Sequence, residues 1–320
     1  MEEKIETKRG TVIVVTGATG VGKSNLIYQM PTSTPVEIIN YDSRQVYKGF
    51  NIGTAMPTPD ELSQFQHHNF SYLNPQNKYS AGLFCSAVKK LLPDIIARGN
   101  VPVLVGGTFF YIKALWDGLI DEPEIPDSVT KEIEGMNTEQ VYQKLLHLSE
   151  SKQVIQKISE NDDYRLRRAL SIHLATGKPM IQLEKQGGIF NDYDFSSYWI
   201  DMPRKLLYDR INKRTVGMIE SGLLDEINNL IKEGLDENTE AMKSIGYREF
   251  WQICAKHSID PGQWKQEHTN ELIEVTSQHS RNYAKRQLTW FRNEKRLKRI
   301  DLTCNNFLLS EKVKEVPLGH

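Results

Sequence analysis

The chain has 320 residues, with 40 lysines and arginines against 41 aspartates and glutamates, and three widely separated cysteines, Cys85, Cys254 and Cys304. That length can bury one large core, or a core plus a smaller module, without covalent or metal staples, and the cysteine number and spacing exclude a disulfide framework and a zinc knuckle. The opening MEEKIETKRG lacks the apolar stretch of a secretory signal and no run of about 18 apolar residues occurs, so a soluble, cytoplasmic protein with no membrane contact, monomeric by default, is expected.

Taken in chain order, "TVIVVT" (Thr11 to Thr16) is a β-branched run that enters "GATGVGKS", after which "KSNLIYQM" has helical character. Strand, glycine loop, helix is the context a phosphate loop needs. "VEIIN" (Val36 to Asn40) and "VPVLV" (Val101 to Val105) read as further buried strands, each running into a polar or glycine segment, "YDSRQVY" and "GGTFFY". Strands of this kind separated by helical patterns predict a parallel sheet with helices on both faces, whose ligands lie outside the carboxyl ends of the strands. Gly17 to Ser24, Asp42 to Gln45 and Gly106 to Thr108 are therefore expected around one crevice.

From about Asp121 the chain turns acidic and proline-containing, and a helical stretch poor in strand residues follows to about Phe195. In it Asn161 or Asp162 can cap a helix in which Leu166, Leu170 and Leu174 recur every four residues, and "TGKP" stops that helix with glycine and then proline. "SYWIDM" (Ser197 to Met202) reads as a return to the sheet, and long helices continue beyond it. The expected architecture is an α/β, P-loop NTPase-like parallel sheet flanked by helices, with an inserted small all-helical domain. Its divisions are 1–120 and 196–320 for the core and 121–195 for the insert.

In the G-x-x-x-x-G-K-[ST] pattern formed by Gly17, Ala18, Thr19, Gly20, Val21, Gly22, Lys23 and Ser24, backbone N–H groups and a helix start surround an anion. Lys23 adds a point charge and Ser24 can ligate Mg²⁺. The loop does not specify whose phosphates it holds. Asp42, at a strand end facing it, can hold Mg²⁺, act as a base, or cap a helix. Thr19 can contact a phosphate oxygen or merely form the turn. Arg210 and Arg214 lie four apart on one helical face, where a salt bridge is the plain alternative. Between Arg281 and Arg299 eight basic residues accompany one acid, Glu294, a run that suits a solvated helix face as well as a polyanion.

Seven ordered stretches then carry a resemblance: "GATGVGKS", "DSRQVYKGFNIGTAMP", "VPVLVGGTFFYIKAL", "YRLRRALSIHLATGKP", "RTVGMIESGLLDEINNL", "KSIGYREF" and "YAKRQLTWFR". Together, over roughly Thr11 to Arg292, they resemble the bacterial tRNA dimethylallyltransferases, also called tRNA isopentenyltransferases. The resemblance implies transfer of a dimethylallyl group from dimethylallyl diphosphate to N6 of adenosine 37 in the tRNA anticodon stem-loop, with release of diphosphate and help from Mg²⁺. It implies Asp42 as general base, Thr19 and Arg214 as contacts of the departing diphosphate, the loop residues Gly17 to Ser24 as its cradle, and Ser24 on the metal. For tRNA it implies Asp42, Ser43, Arg44, Gln45 and Thr108 around the acceptor base. It further implies contacts from Tyr164, Arg165 and Arg168 in the insert, from Lys243, Gly246, Tyr247 and Arg248, and from Arg281, Lys285, Arg286, Gln287 and Arg292.

Trp290 and Phe291 could stack on bases, with core packing as the alternative. Tyr164 stands where the family usually has glutamine, Met56 replaces a common lysine, and "QHHN" departs from the usual "PHHL". His67 and His68 are assigned a structural role. Three other readings predict different behaviour: an adenylate isopentenyltransferase would take free AMP, a small-molecule kinase would turn over ATP, and a nucleotide-controlled RNA-binding protein would transfer nothing.

Overall fold

The computed structural model describes residues 8–121, 123–148, 155–156, 158–302 and 307–317. In chain order its elements are β1 (Thr11–Gly17), α1 (Lys23–Tyr28), β2 (Val36–Asn40), α2 (Pro59–Gln64), β3 (Gln66–His68), α3 (Ala81–Ala97), β4 (Val101–Gly106), α4 (Phe109–Asp117), β5 (Leu119–Ile120), α5 (Asp127–Glu134), α6 (Thr138–His147) and α7 (Asp163–Thr176). They continue with β6 (Lys185–Gln186), β7 (Asp194–Asp201), α8 (Arg204–Glu220), α9 (Leu223–Lys232), α10 (Tyr247–His257), α11 (Gln266–Asn293), β8 (Lys298–Asp301) and α12 (Leu309–Lys314).

The chain divides into two compact units, one made of the segments up to Ala114 and from Phe190 onward, the other of Leu115–Ile189. The first is built on six strands in the order β3-β2-β4-β1-β7-β8, every pair parallel. Central strands covered on both faces must be apolar throughout, and Val12, Ile13, Val14 and Val15 of β1 are fully buried, as are Val103 and Leu104 of β4. The four strands legible in the sequence form the middle of this sheet. Its edges, β3 and β8, were not expected, because "QHH" and "KRID" carry no apolar run. Other contacts hold them in place: His68 Nε2 lies 2.7 Å from Glu37 Oε2, and Arg299 pairs with Asp201 at 2.8 Å. The structural role expected of the histidine pair agrees with this geometry.

The second unit starts and ends six residues earlier than the expected 121–195. It is also not purely helical, since β5 and β6 pair antiparallel and close its base. Two-residue strands leave no periodic signal, which is why the insert was read as all helix. Its core joins Ile133, Val141, Leu145, Ile155, Leu166, Ala169 and Leu170, the half-buried Leu174 packing against them. Asp162 caps α7 by accepting the Arg165 N–H at 3.2 Å, and Gly177 ends it at φ 69°, a left-handed conformation that glycine adopts without strain. Cys85 and Cys254 are free and buried; Cys304 lies outside the described residues. No helix among the described residues is long and apolar enough to cross a membrane.

Candidate active site

β1 ends on Gly17 and hands the chain to the glycine loop, which closes at Gly22 with φ 101° before α1 begins. The positive φ requires glycine there, and it turns the following N–H groups toward one point outside the sheet. Lys23 folds back over the loop, its Nζ donating to the carbonyls of Gly17 (3.0 Å) and Ala18 (3.2 Å). Ser24, beside it, is exposed. Arg214 reaches in from α8 and its Nη1 donates to Thr19 Oγ1 at 3.0 Å, while its Nε–H is buried with no acceptor among the described residues. The salt bridge that was the plain alternative for Arg214 is not what the side chain makes: it turns inward to the loop.

Asp42 follows β2. Its own N–H donates to Asn40 Oδ1 (2.8 Å), and its Oδ1 accepts the Arg44 N–H (2.8 Å), so the side chain is held in an Asx turn. Thr108 caps no side of this by itself but bridges to it: the Ser43 N–H donates to Thr108 Oγ1 at 3.1 Å, and that hydroxyl donates to Ser43 Oγ at 3.4 Å. The carboxyl ends of β1, β2 and β4 thus deliver Lys23, Asp42 and Thr108 to one crevice.

Charge in this crevice is strongly coupled. Withdrawal from water lowers the Lys23 ammonium to about 8; the Asp42 carboxylate opposes that shift and the Arg214 cation adds to it. The Arg214 guanidinium is also lowered by burial and raised by Asp42. Tyr283 on α11, the first residue of "YAKRQLTWFR" but not singled out within it, belongs here as well: burial, with Asp42 adding, pushes its phenol up to about 12, while Thr108 pulls the other way. It lies one helical turn before Gln287.

Several residues expected to touch tRNA are buried or already paired within the protein. Gln287 is buried, its amide wedged between the Thr19 N–H and the Gly107 carbonyl. Tyr247 is fully buried; its hydroxyl donates to Glu226 Oε1 (2.5 Å) and accepts the Gly53 N–H (3.1 Å). Gly246 is buried at φ 100° and donates its N–H to Glu249 Oε2 (2.6 Å). All three are buried and hydrogen-bonded within the protein rather than presented on its surface. Arg248 is engaged with the buried Glu249 at 2.6 Å, and Arg281 donates to Asn212 Oδ1 and Gln278 Oε1.

The Gln45 amide nitrogen donates to the carbonyls of Thr54 (3.1 Å) and Ala55 (2.7 Å), which leaves its Oε1 as an acceptor. Arg44 donates to the Glu240 carbonyl at 3.3 Å, and Lys243 pairs with Glu240 at 2.9 Å. Lys285, Arg286 and Arg292 are exposed on α11. Trp290 is half-exposed with one face stacked on Phe109 (5.2 Å, 26°), whereas Phe291 is core. In the second unit Tyr164 is exposed and Arg165 is exposed beside Asp162, while Arg167, which was not singled out, ties α7 to the Ile133 and Met136 carbonyls.

A parallel sheet with a glycine loop after β1, a carboxylate after β2 two strands away and an inward arginine defines an α/β protein of P-loop-like fold. The chain matches the family described as IPP transferase over residues 45–294. It is 38% identical over 289 residues to the tRNA dimethylallyltransferase of Oceanobacillus iheyensis, covering 89% of this chain and 88% of that one. To the tRNA dimethylallyltransferase of Staphylococcus saprophyticus it is 36% identical over 299 residues, 91% of each chain. Among solved structures it resembles the full-length tRNA isopentenylpyrophosphate transferase of Bacillus halodurans (TM-score 0.66, 30% identity, 96% of this chain and 94% of that one). It also resembles a eukaryotic dimethylallyltransferase acting on tRNA (TM-score 0.74, 26% identity, 96% and 77%). The chain belongs to the IPP transferase family, the tRNA dimethylallyltransferases, and is an enzyme of that prenyl-transferring class.

Proposed function

We propose that the protein transfers the dimethylallyl group of dimethylallyl diphosphate to N6 of adenosine 37 in the tRNA anticodon loop. The observation that carries this reading is the convergence of Lys23 and Asp42, beyond the carboxyl ends of β1 and β2, with Arg214, which reaches in from α8 to bond Thr19. N6 of adenine is a poor nucleophile, since its lone pair is delocalised into the ring. As the N6–C1 bond forms and the C1–O bond to diphosphate breaks, the amine proton must leave. Asp42 takes it, through the Oδ2 that accepts no hydrogen bond among the described residues. The leaving diphosphate gathers charge, which Lys23, Arg214 with its unpaired buried Nε–H, and the loop N–H groups meet.

Mg²⁺ is often held by one or two protein oxygens plus substrate phosphates. Ser24, exposed where α1 begins, would hold it, and the bound ion would supply further charge neutralisation of the diphosphate. An anticodon-loop base is single-stranded and can be splayed out at a cost of a few kcal/mol, where a base in a duplex cannot. Thr108, Ser43 and Asp42 would receive it; the exposed cations of α11 would hold phosphates around it, and Arg165, the exposed arginine of α7, would contribute as well.

Nucleoside mass spectrometry of tRNA incubated with the protein and dimethylallyl diphosphate tests this reading. Isopentenyladenosine at position 37 is expected, with AMP left unmodified in a parallel reaction; modified AMP and untouched tRNA would overturn it.

Lys23 gives the donor site a pH dependence. A group whose pKa is about 8 in the free protein is charged below that value and neutral above it. Affinity for dimethylallyl diphosphate, measured without tRNA by calorimetry, should be level near pH 7 and fall by up to about tenfold per unit as pH rises through 8. Because the Asp42 carboxylate raises Lys23, Asp42→Asn should move the break to lower pH. In Lys23→Met it should vanish.

Arg165→Ala and Lys285→Ala should each weaken tRNA binding and reduce the slope of log affinity against log salt by about 0.7 to 0.9, one phosphate contact each. Turnover at saturating tRNA should hardly change; filter binding across a salt series checks this.

A further inference from the structure

Gln287 was expected on the RNA and is found in the interior, on α11. Its two amide ends do different things. Oε1 accepts the Thr19 N–H at 2.9 Å, and Nε2 donates to the Gly107 carbonyl at 2.8 Å. Since one neighbour is a donor and the other an acceptor, the amide orientation is forced. Thr19 sits in the diphosphate loop and takes the Arg214 hydrogen bond on its hydroxyl. Gly107 immediately precedes Thr108, whose hydroxyl holds Ser43 beside Asp42. One buried amide thus joins the loop expected to hold the donor to the segment expected to hold the acceptor. The fit is tight: a Cβ at residue 107 would lie 2.5 Å from Gln287 Nε2, so a side chain there must displace the glutamine amide.

We infer that Gln287 is a positioning residue that sets the spacing between the diphosphate loop and the Thr108–Ser43–Asp42 acceptor side. It acts through the backbone of Thr19 and Gly107 and needs no contact with either substrate. The inference rests on the proposed function for its consequence, since in-line transfer tolerates little error in the distance between nucleophile and leaving group; a misplacement of about 1 Å can cost about 100-fold. Glutamate at 287 would keep the bond from Thr19 but face the Gly107 carbonyl with an acceptor, and methionine would fill similar volume while pairing with neither group.

The experiment compares Gln287→Met, Gln287→Glu and Gly107→Ala with the wild type in three readouts: kcat with saturating tRNA and dimethylallyl diphosphate, tRNA affinity, and inorganic diphosphate affinity without tRNA. Expected are a kcat at least tenfold lower in all three variants, diphosphate affinity at least threefold weaker in Gln287→Met, and tRNA affinity within twofold of wild type. Weakened tRNA affinity with kcat retained would overturn the inference in favour of an RNA contact. Unchanged values in all three readouts would reduce Gln287 to a space-filling residue. Gly107→Ala leaves the glutamine in the chain and displaces it, so full activity in that variant would overturn the inference even if both residue-287 variants failed to fold. A wild-type protein that transfers nothing would sink the proposed function instead, and the diphosphate measurement would still report whether Gln287 sets the loop.

Discussion

Asp42→Ala should lower turnover by roughly 10²- to 10⁴-fold, the range for loss of a positioned general base, while tRNA affinity stays within about threefold. At about 1.4 kcal/mol per tenfold this corresponds to about 3 to 5 kcal/mol of transition-state stabilisation. The alanine variant also removes the acceptor of the Arg44 N–H, so part of any loss could come from a loosened turn. Asp42→Asn separates the two effects, because its amide oxygen can still take that hydrogen bond but cannot take a proton at neutral pH. Both variants should be equally inactive under single-turnover conditions, with thermal midpoints closer to wild type for asparagine. An asparagine variant that kept most of the activity would remove the base from the mechanism and leave Asp42 as a turn former.

Arg214→Ala should cost roughly 10²- to 10³-fold in kcat, as loss of one preorganised contact to developing charge does elsewhere. It also frees the Thr19 hydroxyl, which Arg214 holds at 3.0 Å. Product inhibition by diphosphate should weaken together with kcat. Arg214→Lys should recover little, because a compact, strongly hydrated ammonium on a shorter side chain cannot reproduce the planar, spaced donors with which the guanidinium fork holds Thr19 and faces the diphosphate. Steady-state kinetics with diphosphate as inhibitor checks both statements. An Arg214→Lys variant with near-normal kcat would show that point charge alone, without the fork, is enough. Thr19→Val provides the complementary test: if Thr19 matters mainly as the anchor of Arg214, its loss should be smaller than that of Arg214→Ala.

Elements with local signatures were legible in the chain. The β-branched runs of β1, β2 and β4 betray themselves because strands buried on both faces must be apolar at every position. The glycine loop is legible because its backbone needs glycine at fixed spacing, and the end of α7 because Gly177 and Pro179 stop a helix in a characteristic way. The edge strands β3 and β8 were not, since "QHH" and "KRID" carry no apolar run and the backbone partners they join, β2 and β7, are remote in sequence.

The same division runs through the site. Local sequence determined that this chain has a phosphate loop on a parallel sheet, with Asp42 and Thr108 at strand ends beside it, because loop and strand geometry depend on residues adjacent in the chain. Which basic and polar residues face a ligand was decided by tertiary packing alone. Gln287, Tyr247 and Gly246 sit in stretches that look like RNA-binding sequence, yet the partners that claim them, Thr19, Glu226 and Glu249, lie on other turns or elements. Tyr283 enters the crevice for the converse reason: long helices bring residues remote in sequence against the loop, and no periodicity in the helix records what its inner face will meet; Arg214 was expected there through the family resemblance, not from spacing.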